Sequence, residues 1–100
     1  MVTFHGILTI KDGKRAEYAE ALKQARLIEA FRQQPGCLFY EVAASITEEN
    51  DLVVSDGWNT EADFKGHVDS PEVAIWHQLY AQYVVSAINH EYHFEPEMNK

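Results

Sequence analysis

The sequence predicts an α+β fold of the ferredoxin-like, split βαβ kind: a four-stranded antiparallel sheet with helices on one face. Two observations carry that prediction. The hydrophobic period switches between two residues and three to four along the chain, in the order strand, helix, two strands, helices, strand. Turn and stop residues fall between those segments, at Lys11, Asp12 and Gly13, at Pro35 and Gly36, and from Thr47 to Asn50. No repeat or low-complexity segment competes, so residues 1–100 read as a single domain.

Val2, Phe4, Gly6, Leu8 and Ile10 alternate with Thr3, His5, Ile7 and Thr9, the pattern of a strand. Tyr18, Ala21, Leu22, Ala25 and Ile28 then recur at three- and four-residue steps, which predicts one amphipathic helix from Lys14 until Pro35 and Gly36 stop it. Cys37 to Ile46 and Leu52 to Trp58 read as the two strands of a hairpin. A symmetrical loop there sets Glu41 opposite Asp56, two carboxylates that would have to share a proton or a cation; a shift of one residue separates them. Thr60, with Asp63 three residues on, opens a short helix to Val68, and Ser70 before Pro71 opens another that should reach Ala87. Ile88, His90, Tyr92 and Phe94 alternate with Asn89, Glu91, His93 and Glu95 as the last strand, before a polar tail, residues 96–100, expected to fray.

A sheet with helices on one face should be polar on the other in a monomer. Here Leu38, Tyr40, Val42, Ala44 and Ile46 share one side of their strand while Cys37, Phe39 and Ala43 take the other. Val53 likewise opposes Leu52, Val54 and Trp58. Both faces want cover, which predicts a homodimer with two sheets packed face to face.

Eight basic residues against sixteen acidic ones leave a net charge of −8, which argues against nucleic acid and anionic membranes as partners. No apolar run approaches the roughly 18 residues of a membrane span, and no signal pattern opens the chain. Cys37 is the only cysteine, so no internal disulfide can form, and the expectation is a cytoplasmic protein.

Five histidines invite a metal reading that their spacing resists. His90 and His93 have opposite strand parity, and His67 and His77 fall in different helices, so no metal site is expected. Trp76, Tyr80 and Tyr83 form an aromatic helical stripe with His77 at its margin. Aromatic burial alone favours plain core, while two tyrosines and an imidazole on one stripe favour a slot whose histidine acts as a base. His67 shares a face with Phe64 and with Asp63, which could hydrogen-bond its ring. There is no glycine-rich phosphate loop and no Gly-x-Ser-x-Gly elbow, and Cys37 has no basic neighbour.

The run Gln34, Pro35, Gly36, Cys37, Leu38, Phe39, Tyr40, Glu41, then Asp56, Gly57, Trp58, then His67 followed by Ser70 and Pro71, resembles the antibiotic biosynthesis monooxygenase domain family. The resemblance implies a dimeric α/β barrel of two ferredoxin-like subunits. It also implies a choice among cofactor-free oxidation of anthrones or quinols, haem degradation, and action on a phosphorylated sugar. The haem branch uses an Asn, a Trp and a His where this chain has Gly6, His67 and His77, so haem degradation is disfavoured. His67 and Trp58 match the family's His and Trp, while Asp56 replaces a commoner Glu.

The resulting expectation is a cofactor-independent monooxygenase that oxidises a small aromatic quinol, phenol or anthrone with O2. His67 or His77 would be the base, Trp58, Trp76, Tyr80 and Tyr83 would line the slot, and Asn59 would offer an amide to the oxyanion. The alternatives are a non-catalytic dimeric module that binds a small molecule, and an oxygen-independent isomerase.

Overall fold

The computed structural model describes residues 1–93, so the predicted strand positions Phe94 and Glu95 and the tail 96–100 lie outside the described residues. The elements follow as β1 (Val2–Ile10), α1 (Arg15–Gln24), α2 (Leu27–Arg32), β2 (Cys37–Ala44), β3 (Asp51–Trp58), α3 (Glu61–Val68), α4 (Pro71–Tyr83) and β4 (Val84–His93). The strands form one antiparallel sheet in the order β2-β3-β1-β4, the ferredoxin-like arrangement.

Strand alternation sorts the side chains. Leu8, Ile10, Leu52, Val54, Trp58 and Tyr40 face the helices and are buried. Tyr18 and Leu22 of α1, Leu27 and Phe31 of α2 and Val73 of α4 close the core over them. Trp58, Tyr18, Phe31, Ile10 and Leu27 are fully enclosed, each contributing about 1.5–3 kcal/mol by leaving water. The opposite, open face carries the alternate residues, and Ile7, Phe39, Val53, Ile88 and Tyr92 stand exposed on it.

Three boundaries differ from the sequence reading. The single helix after the first turn is two, because Arg26 adopts a left-handed conformation with φ 53°. At about 100° per residue, an unbroken helix would swing Leu27 about 140° and Phe31 about 180° away from Leu22. The break brings both back onto the core. β2 ends at Ala44 and leaves Ile46 fully exposed, since Ser45 Oγ accepts the N–H groups of Thr47 and Glu48 and turns the chain. Arg15 fastens this turn by donating to the carbonyls of Ser45, Glu48 and Asp51.

The helix expected to reach Ala87 stops at Tyr83. Val84 is already extended, with ψ 129°, and pairs with Ile10, while Lys11 N–H donates to Tyr83 O at 2.9 Å. Finally, the β2–β3 register sets Tyr40 against Asp56 and Glu41 against Ser55, so the two carboxylates do not meet. Glu41 pairs instead with Arg32 at 2.9 Å. Leu38, in the register shift between Cys37 and Phe39, has no Cα partner.

Candidate active site

Asp56 and Trp58 are two apart on β3 and share the helix-facing side of the sheet. Phe4 of β1 and Tyr40 of β2 flank Asp56 in its row, so its carboxyl stands among aromatic rings and is buried. Trp58 Nε1 donates to Asp56 Oδ2 at 2.7 Å. Burial pushes the Asp56 carboxyl up to about 6, against the opposing pull of the Trp58 hydrogen bond and of His5.

His67 reaches the same place from α3. Thr60 caps that helix by accepting Asp63 N–H at 3.0 Å, and Ser70 caps α4 while its hydroxyl donates to His67 O at 2.6 Å. These caps fix the α3–α4 corner on which His67 sits. Its ring stacks on Trp58 with centroids 4.4 Å apart and meets Phe31 edge-on at 4.8 Å. Gln34 Oε1 lies 2.6 Å from His67 Nδ1, and Gln34 Nε2 donates to Glu72 Oε1 at 3.1 Å.

That chain sets the tautomer. A carboxylate only accepts hydrogen bonds, so the Gln34 amide nitrogen must face Glu72 and its oxygen must face His67. Nδ1 therefore carries the proton and Nε2 keeps a lone pair. Burial lowers the His67 pKa to about 4, more than the nearby Glu72 charge raises it, so the ring is neutral at pH 7.

A cavity of about 370 Å³ opens between the sheet and the α3–α4 pair, a volume suited to a small organic molecule. Phe4, Tyr40, Phe64, Trp76 and Tyr80 give it aromatic walls, and Asp56, His67, His77 and Asn89 supply polar groups. Among the described residues, no Lys or Arg lines it.

Of the residues picked from sequence, His67, His77, Trp76 and Tyr80 meet at this cavity. His77 is exposed. Trp58 is wholly enclosed and stands behind the wall, holding Asp56 and His67. Asn59 is exposed beyond the strand end, with its backbone N–H on Gly36 O at 2.8 Å, and its amide is not on the cavity. Tyr83 also lies off it, stacked on Tyr18 at 5.1 Å with its hydroxyl donating to Glu17 at 2.7 Å. Asp63 bonds Thr60 instead of orienting His67.

Tyr40, Phe4, Phe64 and Asn89 were not among the site residues read from sequence, and Asp56 was read there only as a carboxylate that would share a proton with Glu41 and as the counterpart of the family's Glu. Asn89 had a signal in Gly6, its partner across β1 and β4, where a Cβ would fall 2.4 Å from Asn89 Oδ1. Asp56 had one in the sharing of parity with Trp58.

Among the described residues no three His, Cys, Asp or Glu side chains gather in a metal-binding arrangement. Among the described residues, no helix is long and apolar enough to cross a membrane.

A profile of the antibiotic biosynthesis monooxygenase family matches residues 1–79. Solved structures share the fold over nearly their whole length. A Nitrosomonas europaea protein, named as a candidate antibiotic biosynthesis monooxygenase, is 17% identical over 94% of this chain and 98% of its own, with a TM-score of 0.82. A Deinococcus radiodurans protein, similarly named, is 24% identical over 96% and 94%, with a TM-score of 0.79. A Shewanella oneidensis protein is 26% identical over 93% and 89%, with a TM-score of 0.82. No curated protein matches the chain significantly.

Proposed function

Because the chain belongs to the antibiotic biosynthesis monooxygenase family, we propose that it oxidises a small aromatic quinol, phenol or anthrone with O2 in the cavity beneath α4, without a bound cofactor. The observation that carries this reading is a neutral imidazole fixed among aromatic walls, with Nε2 left as an acceptor. A flat aromatic stacks against such walls, and its hydroxyl can be held by Nε2. The absence of Lys and Arg from the described lining weighs against a phosphorylated substrate.

Triplet oxygen accepts one electron at a time, and an aryl oxide gives one up far more readily than the neutral phenol. The protein's task is to remove the proton, hold the anion and keep water out. For a hydroquinone the balance is one O2 consumed, one oxygen atom entering the ring to give a hydroxyquinone, and one water released. All four electrons come from the substrate. His67 meets the reacting hydroxyl, and His77 stands at the exposed rim. The same reading takes the chain as a homodimer joined through the open sheet face, where five large hydrophobic side chains are exposed.

Oxygen uptake by metal-stripped protein, measured against naphthohydroquinones, anthrones and catechols and corrected for autoxidation, tests the proposal. Saturable uptake that falls in the His67→Ala, His77→Ala double variant supports it. Binding with uptake no faster than autoxidation makes the protein a binding module. Conversion of a substrate with no oxygen consumed makes it an isomerase.

A further inference from the structure

The chemistry above requires a proton acceptor, and His67 is poorly suited to be one. Burial that keeps its ring neutral also penalises the imidazolium that proton transfer would create. The same cavity wall holds a carboxyl. Asp56 is 6% exposed, its Oδ2 is taken by the Trp58 indole N–H, and its Oδ1 has no hydrogen-bond partner among the described residues. Oδ1 is not among the enclosed polar atoms that lack a partner, so it is the oxygen open to the cavity that Asp56 lines. Trp58, enclosed and clamped by the His67 stack, is a fixed donor that sets the carboxyl's orientation.

We infer that Asp56 takes the proton from an aromatic hydroxyl group of the substrate, with Oδ1 as the receiving atom and Trp58 as the residue that aims it. The inference rests on the cavity being the substrate site proposed above. It narrows the substrate class to phenols and quinols that present that hydroxyl. In the step the substrate O–H bond breaks, an O–H bond forms on Asp56, and the bonding pair stays on the substrate oxygen as an aryl oxide. His67 Nε2 keeps its lone pair and takes no proton in this step.

The surroundings favour this division. The titratable groups near Asp56 are His5 on β1, Cys37 and Tyr40 on β2, His67 on α3, and His77 and Tyr80 on α4; Glu91 of β4 lies in the same row beyond Phe4. Of these, His5 favours the ionised carboxyl, and burial opposes it more strongly. The carboxyl is thus ionised at neutral pH, yet it holds a proton better than an exposed one would.

Anaerobic binding of 2-naphthol and of 2-methoxynaphthalene, which lacks the hydroxyl proton, tests this without turnover. The result therefore stands whether or not the protein consumes oxygen. Wild type should bind the naphthol at least about tenfold more tightly than the ether, the scale of a hydrogen bond to a charged group. In Asp56→Asn the indole N–H retains the amide oxygen, so the atom replacing Oδ1 is a donor and the preference should vanish. Circular dichroism checks that this variant folds.

Wild type alone gives a second reading. A phenol stays un-ionised below about pH 8, so the preference should grow between pH 5 and pH 7 as Asp56 ionises. A preference that survives in Asp56→Asn, or that is flat across that pH range, overturns the inference. Equal wild-type binding of both compounds overturns it while leaving the cavity as the binding site. Binding of neither overturns it together with the cavity reading.

Discussion

His67 Nδ1 lies 2.6 Å from Gln34 Oε1, and the amide that presents this oxygen is held from behind by Glu72. A half-buried carboxylate on α4 thereby decides which nitrogen of a buried ring carries the proton. Long-range 1H–15N spectra of histidine-labelled protein should show His67 protonated at Nδ1 and bare at Nε2 at pH 7. In Glu72→Gln the constraint on the amide is gone, and both tautomers should appear. A wild-type ring protonated at Nε2 would falsify the assignment.

Asp56 and His67 bias stability in opposite directions with pH. The Asp56 carboxyl is raised from 3.8 to about 6, so its contribution is full below 3.8 and is lost as pH rises through 6. His67 is lowered from 6.5 to about 4, so its contribution is full above 6.5 and is lost as pH falls through 4. Each is worth up to about 3 kcal/mol, and across the shared window they largely cancel. Urea denaturation between pH 4 and pH 6.5 should therefore show a shallow wild-type profile. Asp56→Asn should lose stability steeply toward acid, and His67→Phe should gain it. Profiles parallel to wild type in both variants would contradict the pKa shifts.

Arg26 is the sole non-glycine residue with positive φ among the described residues. A side chain in the left-handed region costs about 1–2 kcal/mol, partly offset in Gly by the greater freedom of the unfolded chain. Arg26→Gly should stabilise the protein by about 0.5–1 kcal/mol, read as a higher urea midpoint at unchanged slope. A lower midpoint would mean that the arginine side chain contributes more than its backbone costs.

Sequence periodicity is sufficient for the sheet because parity along β1 and β3 is set by burial, and burial leaves a pattern. It fails at Arg26 and Val84, where no Gly or Pro announces the break. There the tertiary demand to return Phe31 to the core, or to pair Val84 with Ile10, overrides helical continuity. For the site, His67, His77, Trp76 and Tyr80 were legible as polar or aromatic residues on predicted helices. Tyr40, Phe4 and Asn89 were not, because their membership depends on which face of each strand looks at the helices. In β4 the polar parity of Asn89 faces the cavity and the apolar parity of Ile88 faces away, the reverse of a monomer's habit.

The open face gives the homodimer proposal its own test. Sedimentation equilibrium at micromolar concentration should report a dimer. The Val53→Lys, Ile88→Lys double variant should shift it to monomer, since buried unpaired charges on both sides of the contact oppose association. A wild-type protein that sediments as a monomer would remove the dimer from the reading.

β3 is a partition one residue thick. Asp56 looks into the cavity and Trp58 into the core behind its wall, while Gly57 between them looks outward beneath the ring of Phe39, so close that a Cβ at Gly57 would fall 2.3 Å from Phe39 Cε1. Pressure on that outer ring is transmitted to a backbone segment whose neighbouring residues on either side carry the carboxyl and the indole. Whatever comes to rest on the outer surface therefore bears on the floor of the cavity, and the two sides of the sheet cannot drift independently in the descendants of this sequence.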